Sequence, residues 1–94
     1  MKGRNENQLN IQKYGISFEE AASVFLDDES LILSDDEHSE DEERFILIGF
    51  SFKANLLVVC HCYRSSETVV RIISARKADS SERKEYLNQN EKPL

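Results

Sequence analysis

Hydrophobic positions along this chain switch from helical to alternating spacing, and the switch divides it. Leu9, Ile11 and Tyr14 fall in a polar stretch that stops at Gly15, a short helix ended by glycine. Ser17-Phe18-Glu19-Glu20 has the form of a capping box, in which Ser17 bonds the third helical amide and Glu20 reaches back. Phe18, Ala21, Ala22 and Phe25 follow at helical spacing, with Ile16 placed to staple onto Ala21, so a helix is expected from 18 to 25. The spacing then becomes that of strands. Leu31-Ile32-Leu33 is a short candidate, 44–50 (RFILIGF) and 56–63 (LLVVCHCY) are fuller ones, and 69–75 (VVRIISA) alternates around Arg71. The links 51–55 and 65–68 are short enough for hairpins, which predicts an antiparallel meander with 31–33 as its fourth member. Asp79-Ser80-Ser81-Glu82 repeats the capping-box pattern and opens a last helix through about Asn88. The class is therefore α+β: N-terminal helices, an antiparallel sheet of about four strands, and a C-terminal helix.

Size and composition bound the rest. Ninety-four residues with 39% hydrophobic content and one proline make a single small globular domain. Residues 1–9 read as a divergent N-terminus and 89–94 as a poorly ordered tail. No apolar run approaches the roughly 18 to 20 residues that cross a bilayer, and the N-terminus lacks the apolar stretch of a secretory signal, so a cytoplasmic address is expected. Cys60 and Cys62 flank His61 in an apolar run; two reduced thiols acting as small core residues suit them better than a bridge or a zinc site.

The net charge of −6 is unevenly placed. Residues 27–43 hold ten Asp and Glu and no Lys or Arg, whereas 44–86 carry eight Lys and Arg against four acids. Screening limits charge to short range, so the C-terminal half is the side on which to seek an anionic ligand. The acidic segment lacks the ordered oxygens and turn glycine of a calcium loop and should be a solvated surface that suits a basic partner.

Cations on a rigid strand suggest phosphate, and RNA cleavage without metal needs a base, an acid and cations around one phosphate. Arg76 and Arg71 are the electrostatic candidates, because a guanidinium grips two phosphate oxygens and keeps its charge. They lie an odd number apart, so an unbroken strand sends them to opposite faces; they can share a site only where the strand ends or twists. The competing structural reading pairs Arg71 with an acid such as Glu43. His61 has a pKa suited to proton transfer, or is a half-buried sheet residue. Tyr86 can donate a phenolic proton or stack on a base, or pack on the sheet. Ser74, Lys77, Arg83 and Arg44 are candidate phosphate contacts. Glu82 is explained by capping, and acids around His38 favour its protonated form.

The succession KYGISFEEAASVF, DDEHSEDEERFILIG, LLVVCHCYR and RIISARKADSSERKEY, over residues 10–86, resembles the BrnT toxins, which are similar in fold to the RelE/ParE ribonuclease toxins. The resemblance implies the toxin of a type II toxin–antitoxin system. Such a toxin cleaves RNA without a cofactor, leaves a 2′,3′-cyclic phosphate, and halts translation and growth. It also implies a BrnA-type antitoxin with a ribbon-helix-helix DNA-binding domain, a possible dimer of toxin–antitoxin pairs, and DNA contact only through the antitoxin. Glu43 and Arg44 match its H-S-E-x-E-E-R-F element and are expected to orient the active face. The chain departs at two places: Lys2 and Gly3 stand where the family has Trp-Asp, and Tyr14 replaces the His of its K-H-G motif. An interaction module that binds an antitoxin but no longer cleaves is the alternative, and a general RNA-binding domain, lacking an evident aromatic platform, is the third.

Overall fold

The computed structural model describes residues 5–35, 43–64 and 69–89. Three helices, α1 (Glu6–Tyr14), α2 (Phe18–Ser23) and α3 (Ser80–Asn88), accompany four strands: β1 (Leu31–Ser34), β2 (Phe45–Phe50), β3 (Leu56–Arg64) and β4 (Val69–Lys77). The strands pair in sequence order, every neighbour antiparallel, as the alternating spacing predicts. The expected turn at 65–68, His38 and most of the acidic segment lie outside the described residues.

The sheet has two differently covered faces. On one, Ile16, Ala21 and Val24 pack against Leu47, Leu57, Val59 and Ala75. On the other, Tyr86 of α3 packs against Ile48, Leu56 and Val58. Burying each Val, Leu or Ile among these contributes roughly 1.5 to 3 kcal/mol, so α2 and α3 are held from opposite sides of one sheet.

Local signals explain the helix ends. Gly15 takes φ 76, a left-handed conformation that glycine adopts without a Cβ clash, and donates its N–H to Ile11. Ser17 caps α2, accepting from the Glu20 amide at 3.0 Å. The reciprocal half of that box is not made. The Glu20 carboxylate instead accepts from the Ser51 hydroxyl (2.7 Å) and the Asn55 amide (2.8 Å), pinning the β2–β3 turn to the helix. Two donors on a turn outbid one helical amide. The helix predicted to reach Phe25 tightens into a 3-10 turn at Val24–Leu26. With that tightening Val24 becomes fully buried, whereas Ala22 faces solvent. The second capping box, Asp79 with Glu82, forms in both directions.

Asp27 ties the two faces together. One carboxylate oxygen accepts from the Phe50 amide (2.8 Å) and the Tyr86 hydroxyl (2.7 Å), and the other from the Glu29 amide (2.9 Å). Gly49 lies directly beneath; a Cβ there would meet that carboxylate at 2.9 Å and Val24 at 3.0 Å. Burial pushes the Glu20 and Asp27 carboxyls up, but their hydrogen bonds outweigh it and leave both below their ordinary values. The unfolded chain therefore binds these protons more readily than the folded one. Stability should be level above about pH 5 and fall as pH drops through the depressed folded values. Thermal melts from pH 7 to pH 3 check this; a melting temperature that rises on acidification would contradict it.

Candidate functional site

The site begins with an irregularity in β4. Cys60 pairs with Ser74, but His61 pairs with Ile72, so Ile73 is an extra residue on β4. A bulge of this kind reverses the alternation. Arg71 sits opposite Cys62, Ser74 opposite Cys60, and Arg76 opposite Val58. Those three partners are alternate residues of one strand, so Arg71, Ser74 and Arg76 share the face that carries α3. The odd spacing that separates the arginines on an unbroken strand is cancelled by one inserted residue.

On that face lies an open cleft of about 470 Å³. Ile46, Val58 and Cys60 line it together with Ile73 and Ser74, and Arg44, Asp35, Arg76 and Tyr14 complete the lining. Tyr14 arrives from the far end of α1. That helix runs along the outer edge of β4, where the buried Asn10 side chain bonds both the N–H and the C=O of Ala75. Lys13 holds its ammonium 5.3 Å from the Tyr14 ring centroid. A smaller groove of about 370 Å³ between α1 and β4 shares Tyr14, Ile73 and Ser74 with the cleft.

Arg76 is held in a fork. Its two terminal nitrogens donate to the two oxygens of Glu82 at 2.9 and 2.7 Å, and it also reaches the Lys77 carbonyl at 3.3 Å. The same Glu82 carboxylate caps the Asp79 amide at 2.9 Å, so the capping box and the arginine clamp are one device. The bond to Arg76 and the capping bonds together hold the Glu82 carboxyl below its usual value despite some burial, and the Glu82 bond likewise raises Arg76. Burial, with Asp35 nearby, pushes the Cys60 thiol up, so it is a neutral part of the lining at ordinary pH.

The other candidates lie elsewhere. His61 is fully buried on the opposite face, against Phe25 (ring centroids 4.9 Å apart), Phe45 and Tyr63. Its Nδ1 meets the Val59 carbonyl at 3.2 Å, and a carbonyl can only accept. Nδ1 therefore carries the proton, and Nε2 faces the Tyr63 hydroxyl at 3.4 Å. Burial lowers the His61 pKa against the opposing effect of the Val59 bond, which suits a neutral core ring. The sheet stands between His61 and the cleft. Tyr86 is buried, edge-on to Phe50, with its hydroxyl on Asp27; burial and then that carboxylate push its phenol up to about 12. It anchors α3. Lys77 sits opposite Leu57, on the same face as His61, and Arg83 is exposed on α3 outside the cleft lining. Arg71 shares the cleft's face but not its lining, and among the described residues it pairs with Glu6 of α1, at 3.4 Å, where the sequence suggested an acid such as Glu43.

Arg44, Ser74 and Arg76 are thus brought together, and His61, Tyr86, Lys77 and Arg83 are not. Tyr14 was missed as a cleft residue. Its sequence signals were its place just before Gly15, where the chain turns from α1 toward α2, and its position in the K-H-G motif of the resemblance, where it stands for the His.

Among known families, residues 4–82 match the model described as a ribonuclease toxin, BrnT, of type II toxin-antitoxin systems. No curated protein matches the chain.

Proposed function

This chain belongs to the BrnT family of ribonuclease toxins of type II toxin–antitoxin systems, and from that premise we propose that it is a metal-independent endoribonuclease working in the cleft of Arg44, Ser74 and Arg76. The observation that carries the reading is the cleft's lining, in which Ser74 and Arg76, alternate residues of β4 and so on one face, stand together with Arg44. A scissile phosphate seated there meets two guanidinium groups and a hydroxyl. The RNA 2′-oxygen passes its proton to water in the open cleft and attacks phosphorus, the bond to the 5′-oxygen breaks, and that oxygen takes up a proton as it leaves. Two arginines aimed at the phosphate stabilise the charge that gathers on its oxygens in between. Tyr14 is the cleft's phenol and serves proton transfer to the leaving oxygen, the task histidine would otherwise perform at its position. The fork to Glu82 accounts for part of Arg76's five N–H groups and fixes the guanidinium plane in advance.

In this reading the chain acts in the cytoplasm, slows translation and growth, and is silenced by a BrnA-type antitoxin that also carries the complex to its promoter DNA. One observation favours the rival reading, an antitoxin-binding module without activity: the charge of Arg76 is already balanced by Glu82.

Incubating the purified chain with single-stranded RNA in EDTA separates the two. The enzyme reading expects fragments ending in 2′,3′-cyclic phosphate; intact RNA, with antitoxin binding retained, would favour the module. Tyr14→Phe should lower the cleavage rate by roughly a hundredfold, in line with lost general acid catalysis. Tyr14→His should restore part of it with a rate that changes near neutral pH; an unchanged pH profile would remove Tyr14 from the chemistry. His61→Asn, which can keep the bond to the Val59 carbonyl, should leave the rate within about threefold and lower the melting temperature instead. A rate loss without destabilisation would return His61 to the mechanism.

A further inference from the structure

The two edges of the sheet are treated differently. At the β4 edge, Asn10 supplies the hydrogen bonds a neighbouring strand would make to Ala75. At the β1 edge, no strand lies beyond Leu31–Ser34 among the described residues. The Asp35 amide donates to the Arg44 carbonyl at 2.9 Å, which makes 35–44, 33–46 and 31–48 the hydrogen-bonded pairs. The N–H and C=O of Ile32 therefore point away from the sheet. Their surroundings are apolar: Ile32 is 50% exposed and Leu33 36% exposed. Leu31 and Leu33 also line a groove of about 420 Å³ with Glu85, Asn88 and Gln89 of α3. Exposed edges with apolar side chains are pairing sites that proteins ordinarily block with lysine, proline or a bulge. This one has none of these.

The charge around it selects the occupant. Asp28 and Glu29 precede β1, Glu43 lies at its other end, and Glu85 lines the adjoining groove. In sequence, residues 27–43 carry ten acids and no Lys or Arg. A second copy of this chain would bring the same acids to the same edge and be repelled. We infer that the outer edge of β1 takes an extended, lysine- or arginine-flanked segment of a partner protein as a fifth strand. Naming the antitoxin as the donor of that segment rests on the toxin reading above; the edge and its charge do not. Main-chain bonds to Ile32 supply affinity, Ile32 and Leu33 supply apolar contact, and the acids choose a basic strand over others.

The test uses a fluorescein-labelled peptide of sequence Lys-Lys-Val-Thr-Val-Thr-Val-Lys-Lys and its counterpart with Glu in place of Lys. The basic peptide should bind saturably, shift the amide resonances of Ile32 and Leu33, and bind about tenfold or more tightly than the acidic one. Ile32→Pro removes an outward N–H without removing a bond to β2 and should weaken binding about tenfold. Asp28→Lys with Glu29→Lys leaves the strand intact and should narrow or reverse the preference between peptides. Absence of saturable binding, equal binding to Ile32→Pro, or resonance shifts at the cleft instead of β1 would overturn the inference. A concentration-dependent dimer that protects Ile32 would overturn it in favour of self-pairing. RNA cleavage measured on the same samples reports on the nuclease reading alone, because none of these substitutions touches the cleft.

Discussion

Replacing Arg76 with alanine is expected to lower RNA cleavage by roughly a hundred- to a thousandfold, the usual cost of losing one preorganised donor to a developing anion. The loss should fall mainly on kcat, because charge on the phosphate oxygens grows between the bound state and the transition state. Stability should change little. The Arg76 side chain is 41% exposed, which discounts its pair with Glu82. Glu82 keeps its bonds at the start of α3 without it. Arg76→Lys is the informative companion: it keeps a cation but not the two-pronged grip, and should recover only part of the rate. Glu82→Gln tests the clamp. It leaves the charge of Arg76 unbalanced while loosening its orientation, so binding of RNA should tighten as turnover slows. Wild-type turnover in Arg76→Ala would transfer the chemistry to Arg44 or remove it from the cleft.

Which residues share the cleft's face was only partly legible in the sequence, and the reason is local. Strand alternation is read two residues at a time, so Arg71 and Arg76 counted as opposite. The single extra residue, Ile73, is an ordinary strand former with no turn signature, and it moved one of them across. His61 stood out by chemistry and position, yet a histidine whose Nδ1 can meet a nearby carbonyl is as comfortable in an apolar layer as a phenylalanine. Tyr86 carried the same ambiguity, and its partner Asp27 is 59 residues away, beyond any spacing rule. What could be read was what depends on neighbours: the meander from short links, the α3 capping box in full, and the helix stop at Gly15. Glu20 shows where that ends. Its capping role was a fair local inference, and Ser51 and Asn55, brought close only by the β2–β3 turn, took the carboxylate instead.

The least legible residue, Asn10, carries the largest expected effect on stability. In α1 the hydrophobic residues Leu9, Ile11 and Tyr14 are all exposed, at 42%, 42% and 39%, whereas Asn10 is 6% exposed. Its amide nitrogen donates to the carbonyls of Ile16 (2.8 Å) and Ala75 (2.9 Å), and its oxygen accepts from the Ala75 amide at 3.1 Å. Asn10→Ala leaves these buried backbone groups without those partners and should cost about 2 to 4 kcal/mol, a large share of a small domain's stability. In a domain this size that corresponds to a fall in melting temperature of roughly 10 to 25 °C. Asn10→Asp discriminates hydrogen bonding from mere packing, since it preserves shape. At pH 7 its carboxylate faces two carbonyl oxygens and should destabilise at least as much as alanine. Acid should then partly rescue it, because a protonated carboxyl can donate where the amide did, whereas the native chain stays level down to about pH 5. Melts of the three proteins at pH 7 and pH 5 decide the matter. A loss of less than about 1 kcal/mol in both variants would mean that packing alone holds α1 to β4. The consequence reaches the cleft, because α1 ends at Tyr14: if Asn10 holds the helix to the sheet edge, loosening it must move the phenol, and cleavage should weaken in Asn10→Ala even at temperatures where the domain remains folded.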